Sequence, residues 1–355
     1  MPVSLPINPF QIDSTPSNAY DVCLVIEGRA SEASDTRGHK PSELVCARLL
    51  GYMLIHAPVD TGRDYLAKAI LSCTDDDDGL KRLGKFYFDH FIRLFKSAKG
   101  PTPSPSLHPS RPSFDDDQEA LKYGLVEAPK DQSTAKKHAL IRDDYRCIVT
   151  GNTDFHSEEN IPHIAERFLH ERVPTVYTQA AHIFPVSTNK RIATDEERHP
   201  NTDYAATAWA VADRFGGVKV TEELNGAKIH HLGNVMTMQV DVHMKFDSLT
   251  IWFEETVCCG TPNKYNICGR REASLVGLPP TVTFTTTDPR LPLPDPRYLR
   301  VHAACARVAH LSGAGECIDR VIRDLQYTDV LATDGSSAEM LDFALMHSLR
   351  AQAAF

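Results

Sequence analysis

Between residues 146 and 255 the hydrophobic pattern changes period more than once, and that order restricts the fold more than any other feature of the chain. "RCIVTG" (146–151) reads as a short strand running into a Thr-Gly turn, and "QAAHIFP" (179–185) as a second strand that a proline stops soon after His182. Farther along, "HLGNVMTMQVDVHMKFDSLTIWFEE" (231–255) opens on Gly233-Asn234 and reads as an apolar helical stretch. In it His243 and Asp247 stand four residues apart and so share a helix face. "SLTIWF" (248–253) closes the stretch as a strand.

The flanks read differently. "PSELVCARLLGYMLIHA" (41–57), "TGRDYLAKAILSC" (61–73) and "LKRLGKFYFDHFIRLFKSAKG" (80–100) each keep apolar residues on one helical face, with the acidic turn "TDDDDG" before the third. In that third helix Phe88, Phe91, Ile92 and Phe95 form a core stripe. Its other side carries Lys81, Arg82, Lys85, Arg93, Lys96 and Lys99 against Asp89 alone, which suits a solvated surface or one that faces phosphates. "GPTPSPSLHPSRPSFDDDQ" (100–118) lacks apolar periodicity and cannot pack a core, so it reads as a linker or disordered loop. The helix "STAKKHALIRDDY" (133–145) leads into the mixed segment. After that segment come β-branched "TVTFTTT" (281–287) and a helix that Asp295-Pro296 should start. The expected organisation is therefore α+β: a helical region 1–99, a Pro/Ser-rich linker 100–132, a mixed module 133–255, and a strand plus helices over 256–355.

The mixed module holds the residue types that phosphodiester hydrolysis requires. A base must activate water, and a cation must offset charge on the phosphate and the leaving oxygen. An imidazole at the end of a rigid strand, His182, suits the first task. A His and a carboxylate at i and i+4, His243 and Asp247, can grip one divalent ion and leave other positions to water and phosphate. Asn234 can orient a loop by hydrogen bonds without ionising. No P-loop, G-x-S-x-G elbow, Rossmann glycine fingerprint or H-E-x-x-H motif occurs.

In this order, "RCIVTG", "AAHIFP", "LGNVMTM" and "VHMKFD" resemble the successive motifs of the HNH (His-Asn-His) endonuclease superfamily, closest to the branch common in fungal HNH-domain proteins. The resemblance covers about residues 135–255. It implies a ββα-metal fold, with His182 as general base, Asn234 as the orienting Asn, and His243 and Asp247 as metal ligands. It also implies one divalent ion, Mg or Mn first and Zn or Ni after them, and nucleic acid, DNA first, as partner. Three positions depart from the family pattern. Ala181 stands where many relatives carry a ligand, Gln179 stands where a Glu is common, and Val235 replaces the Gly expected after the Asn.

Charge and cysteine content set further expectations. The net charge is −9, and residues 130–255 carry 14 basic against 19 acidic side chains, so any nucleic-acid groove must be patterned locally. Nine cysteines, an odd and scattered set, predict reduced thiols and an intracellular protein; the opening "MPVSLPINPF" does not read as a secretion signal, and no apolar run is long enough for a membrane span. A zinc site around Cys258, Cys259 and Cys268 is the alternative to buried thiols there. His230 and His231 read as a solvated loop pair, with a further ligand as the alternative. The rival to a nuclease is an HNH-fold scaffold without nuclease activity, which binds a protein partner or acts on a small molecule.

Overall fold

The computed structural model describes residues 2–33, 41–73, 77–96, 131–186, 200–256 and 262–327. The sequence readings at Lys99, 100–118, Cys258, Cys259 and beyond 327 lie outside them. In chain order the main elements are α1 (Thr15–Ala33), α2 (Glu43–Ile55), α3 (Asp60–Leu71), α4 (Asp77–Tyr87), α5 (Gln132–Arg142), β1 (Thr153–Asp154), α6 (Phe155–Asn160), α7 (Pro162–Glu171), β2 (Thr175–Val176), β3 (Thr178–His182), α8 (Pro200–Gly216), β4 (Val235–Gln239), α9 (Val240–Asp247), β5 (Ile251–Glu255), β6 (Lys264–Gly269), β7 (Thr281–Thr283), α10 (Pro296–Ser312) and α11 (Ala314–Tyr327). Helix and sheet are mixed, as an α+β chain requires.

The chain divides into two compact units: Met1–Ala98 with Ser187–Glu222 and Arg300–Phe355, and Lys99–Val186 with Glu223–Leu299. Among the described residues the first unit is helical, built on α1–α4, α8, α11 and the part of α10 from Arg300 on. Ser42 accepts the Val45 amide and caps α2, as its sequence position predicts. Phe91 packs on Phe215, ring centroids 5.0 Å apart, inside a core that includes Leu49, Leu50, Met53 and Trp209. α3 and α8 approach so closely at Gly62 that a Cβ there would stand 2.1 Å from the Phe215 carbonyl oxygen. α4 passes into a π-helical turn, Phe88–Ile92, before the helix ends at Phe95. The basic face expected on this segment is only partly a surface. Arg93 and Lys96 are buried and paired with Asp89 and Asp319, and exposed Lys85 also bonds Asp89. Lys81 and Arg82 on that face are exposed.

The second unit is built around an antiparallel hairpin-like pair, β3 with β4, in which Gln179 faces Met238, Ala181 faces Met236 and His182 faces Val235. The segment Val235–Gln239, expected as the start of a helix, is this second strand; the helix starts at Val240. Its β-branched Val235 and Thr237 pair across to β3, and that non-local pairing outweighs the helical spacing carried on from His243 and Asp247. "RCIVTG" is likewise a turn and not a strand. Asp144 and Tyr145 take left-handed backbone angles (φ 56° and 58°), and the Ile148 amide then donates to Thr237 O on β4.

Ala135 and Ala139, one turn apart on α5, pack with Ala180, Val235, Leu232 and Leu291 on one side of the β3–β4 pair. α9 packs against the same two strands. Beyond it β5, β6 and β7 form an antiparallel sheet, joined to α9 by Phe246 on Phe253 and closed by Phe284 against Phe253 and Tyr265.

Candidate active site

The site is assembled from the end of β3, the turn before β4, and α9. Alternation along β3 sends Gln179 and Ala181 to one side and Ala180 and His182 to the other. Ala180 and Val235, the latter directly opposite His182, belong to the α5 cluster, so His182 leaves the strand on that side. His243 meets Gln179 and therefore lies on the other.

α9 brings His243 and Asp247 together as their spacing predicts. Both are largely buried, with Nε2 of His243 3.2 Å from Oδ2 of Asp247. Nδ1 of His243 lies 2.9 Å from Oε1 of Gln179. With that amide oxygen as acceptor, Nδ1 carries the proton and Nε2 points its lone pair at the Asp247 carboxylate. A lone pair and a carboxylate oxygen facing across 3.2 Å are held by a cation between them, either a proton on Nε2 or a metal ion. Two adjacent ligands of an octahedral ion, each at about 2.1 Å, stand about 3 Å apart, so the donor pair fits a divalent metal. Among the described residues no group of three or more His, Cys, Asp or Glu side chains gathers to hold a metal ion.

Asn234 is fully buried and makes three hydrogen bonds with its side chain. Its Oδ1 accepts the Phe184 amide at 2.8 Å, and its Nδ2 donates to Phe184 O at 3.1 Å and Ile229 O at 2.9 Å. Its backbone oxygen also takes the Ile183 amide at 2.9 Å. The two residues after His182 are thereby clamped, and the imidazole with them.

Nε2 of His182 lies 3.1 Å from Nδ1 of His230. His230, expected in a solvated loop pair, is half-buried against that ring, with centroids 5.2 Å apart. Its neighbour His231 is the exposed member, and its Nδ1 accepts the Gly233 amide.

Sequence reasoning missed two supports. Arg142 is wholly buried. Its Nε and Nη2 donate to the two Asp143 oxygens at 2.7 and 2.8 Å, and its Nη1 to Leu232 O and Pro292 O. Asp143 in turn accepts the Thr237 amide, so this pair ties α5 to β4 and to the turn carrying Asn234. The second is a clasp on Gln239. Its Oε1 accepts from Thr150 and Asn152, and its backbone amide donates to Cys147 Sγ. The Cys and Thr of "RCIVTG" thus fix the junction between β4 and α9.

Residues 147–254 match the model of the HNH endonuclease family. The chain carries an HNH endonuclease domain. No curated protein and no solved structure matches the chain. The HNH match begins at the Cys147 clasp and ends in β5, so it encloses His182, Asn234, His243 and Asp247. The matched domain, about a third of the chain, suggests nuclease activity in general and implies nucleic-acid binding. No helix among the described residues is long and apolar enough to cross a membrane.

Proposed function

We propose that the HNH domain hydrolyses phosphodiester bonds of nucleic acid with one divalent metal ion, on the ββα-metal pattern. The observation that carries this reading is the buried His243–Asp247 donor pair, 3.2 Å apart on a helix packed against the strand that ends at His182. Two protein donors leave the remaining positions of an ion to water and phosphate, which suits Mg or Mn better than a closed zinc site. When bound, the metal supplies Lewis-acid stabilisation of charge on the phosphate and the leaving oxygen.

His182 takes the proton from the attacking water. In-line displacement puts that water and the leaving oxygen on opposite sides of the phosphorus, so base and ligand pair would approach one phosphate from opposite sides. Asn234 holds the 183–184 backbone and so keeps His182 in one orientation. Gln179 accepts from Nδ1 of His243 and leaves Nε2 for the ion.

A scaffold without nuclease activity is favoured by one observation. Ala181, fully buried and on the same strand side as Gln179, offers no donor where many relatives carry a ligand. The full chain incubated with plasmid and single-stranded substrates in Mg, Mn, Ni or Zn decides between the two. The nuclease reading predicts metal-dependent cleavage that His182→Ala slows on the order of 10²–10⁴-fold; no cleavage with any of the four metals leaves the scaffold.

A further inference from the structure

We infer that His230 is a positioning residue for His182, accepting a proton from its Nε2 side so that Nδ1 is the nitrogen that acts on water. The inference rests on the nuclease reading for its catalytic meaning, but its geometry stands apart from the metal pair. Nε2 of His182 and Nδ1 of His230 are 3.1 Å apart, and their rings meet edge to face at 76°. At that separation only one proton fits between the two nitrogens, because two N–H groups would point at each other. With His182 as the donor in this contact, its Nε2 carries that proton and its Nδ1 keeps the lone pair that can act on water.

His182 is buried whereas His230 is half-buried, so the second ring is the one nearer bulk solvent. Asp131, the N-cap of α5, adds a favourable charge. Its carboxyl, held below the ordinary range first by the Thr134 amide, lies within electrostatic reach of His230. The role parallels the orienting partner of a catalytic imidazole, here filled by a second imidazole.

The test compares His230→Phe, which keeps a ring but has no acceptor, with His230→Asn, whose Oδ1 can accept near the position of Nδ1. Both are assayed as full chains for cleavage, with thermal unfolding as the folding control. His230→Phe should lower kcat on the order of 10-fold to 100-fold with KM within about twofold, less than the roughly 10²–10⁴ of a positioned base. His230→Asn should recover most of that loss, and His182→Ala/His230→Phe should be no slower than His182→Ala. A phenylalanine variant as fast as the parent, or faster than the asparagine variant, overturns the inference. A wild type that cleaves nothing overturns the nuclease reading instead. The pairing is then read from ring-nitrogen NMR shifts: Nε2–H on His182, lost in His230→Phe, supports it, and Nδ1–H on His182 overturns it.

Discussion

Replacing Asn234 by alanine removes a clamp whose strength follows from its partners. The Phe184 amide loses its acceptor, and Phe184 O and Ile229 O each lose a donor, all in a region where Asn234 is wholly buried. A buried backbone donor left unsatisfied costs about 1–3 kcal/mol, and carbonyls that keep a second lone pair cost less. The expected destabilisation is therefore about 3–5 kcal/mol for the unit that carries the site, among the larger effects of a single substitution. The two units complicate a simple unfolding curve, but the sequence has two tryptophans, Trp209 in the first unit and Trp252 in the second. In a Trp209→Phe background, urea unfolding followed by fluorescence reports on Trp252 alone. Asn234→Asp sharpens the test. Its carboxylate still accepts the Phe184 amide but turns an oxygen toward Phe184 O and Ile229 O. Burial against two carbonyls raises the folded pKa of that carboxyl, so the variant is most stable below the unfolded value near 4 and loses stability as pH rises. An alanine variant within about 1 kcal/mol of its parent, or an aspartate variant indifferent to pH between 4 and 7, would refute the clamp.

Other outcomes follow from the same contacts. Arg142→Ala leaves the Asp143 carboxylate buried without its guanidinium and should destabilise the second unit by about 3–5 kcal/mol, measured by the same Trp252 signal. Gln179→Leu removes the acceptor on His243 Nδ1 and should weaken Mn affinity about 10-fold to 100-fold, with most of kcat restored at saturating metal. Burial pushes the Cys23 and Cys46 thiols up to about 12 from an ordinary 9.0, so each contributes stability that is complete below pH 9 and lost as pH rises toward 12. Denaturant unfolding at pH 8 and 10.5 should show that loss, on the order of 2 kcal/mol per thiol; equal stability at the two values would contradict it.

Local pattern made much of the fold legible. The helices at 43–55, 60–71 and 132–142, the strand ending at His182, and the Asp295-Pro296 helix start all follow from periodicity and capping residues. The pairing of His243 with Asp247 is a single helical turn and could be read from spacing alone. What escaped was set by non-local contacts. Val235–Gln239 is a strand because β3 lies beside it, and residues 146–151 form a turn because of left-handed Asp144 and Tyr145. His230 and His182 are 48 residues apart, and Arg142 reaches Leu232 across 90, separations that no sequence period encodes. The Lys96 side chain reads as surface because its partner carboxylate, Asp319, lies far along the chain.

The most direct test of base and ligand roles is a paired measurement on His182→Ala and His243→Ala. Mn binding is followed by electron paramagnetic resonance and plasmid cleavage by gel. The account predicts that His182→Ala binds Mn as the wild type does while losing on the order of 10²–10⁴ in rate. His243→Ala should bind Mn at least about 10-fold more weakly and regain part of its rate when metal is in excess. Unchanged Mn affinity in His243→Ala, or full cleavage by His182→Ala, would contradict the account.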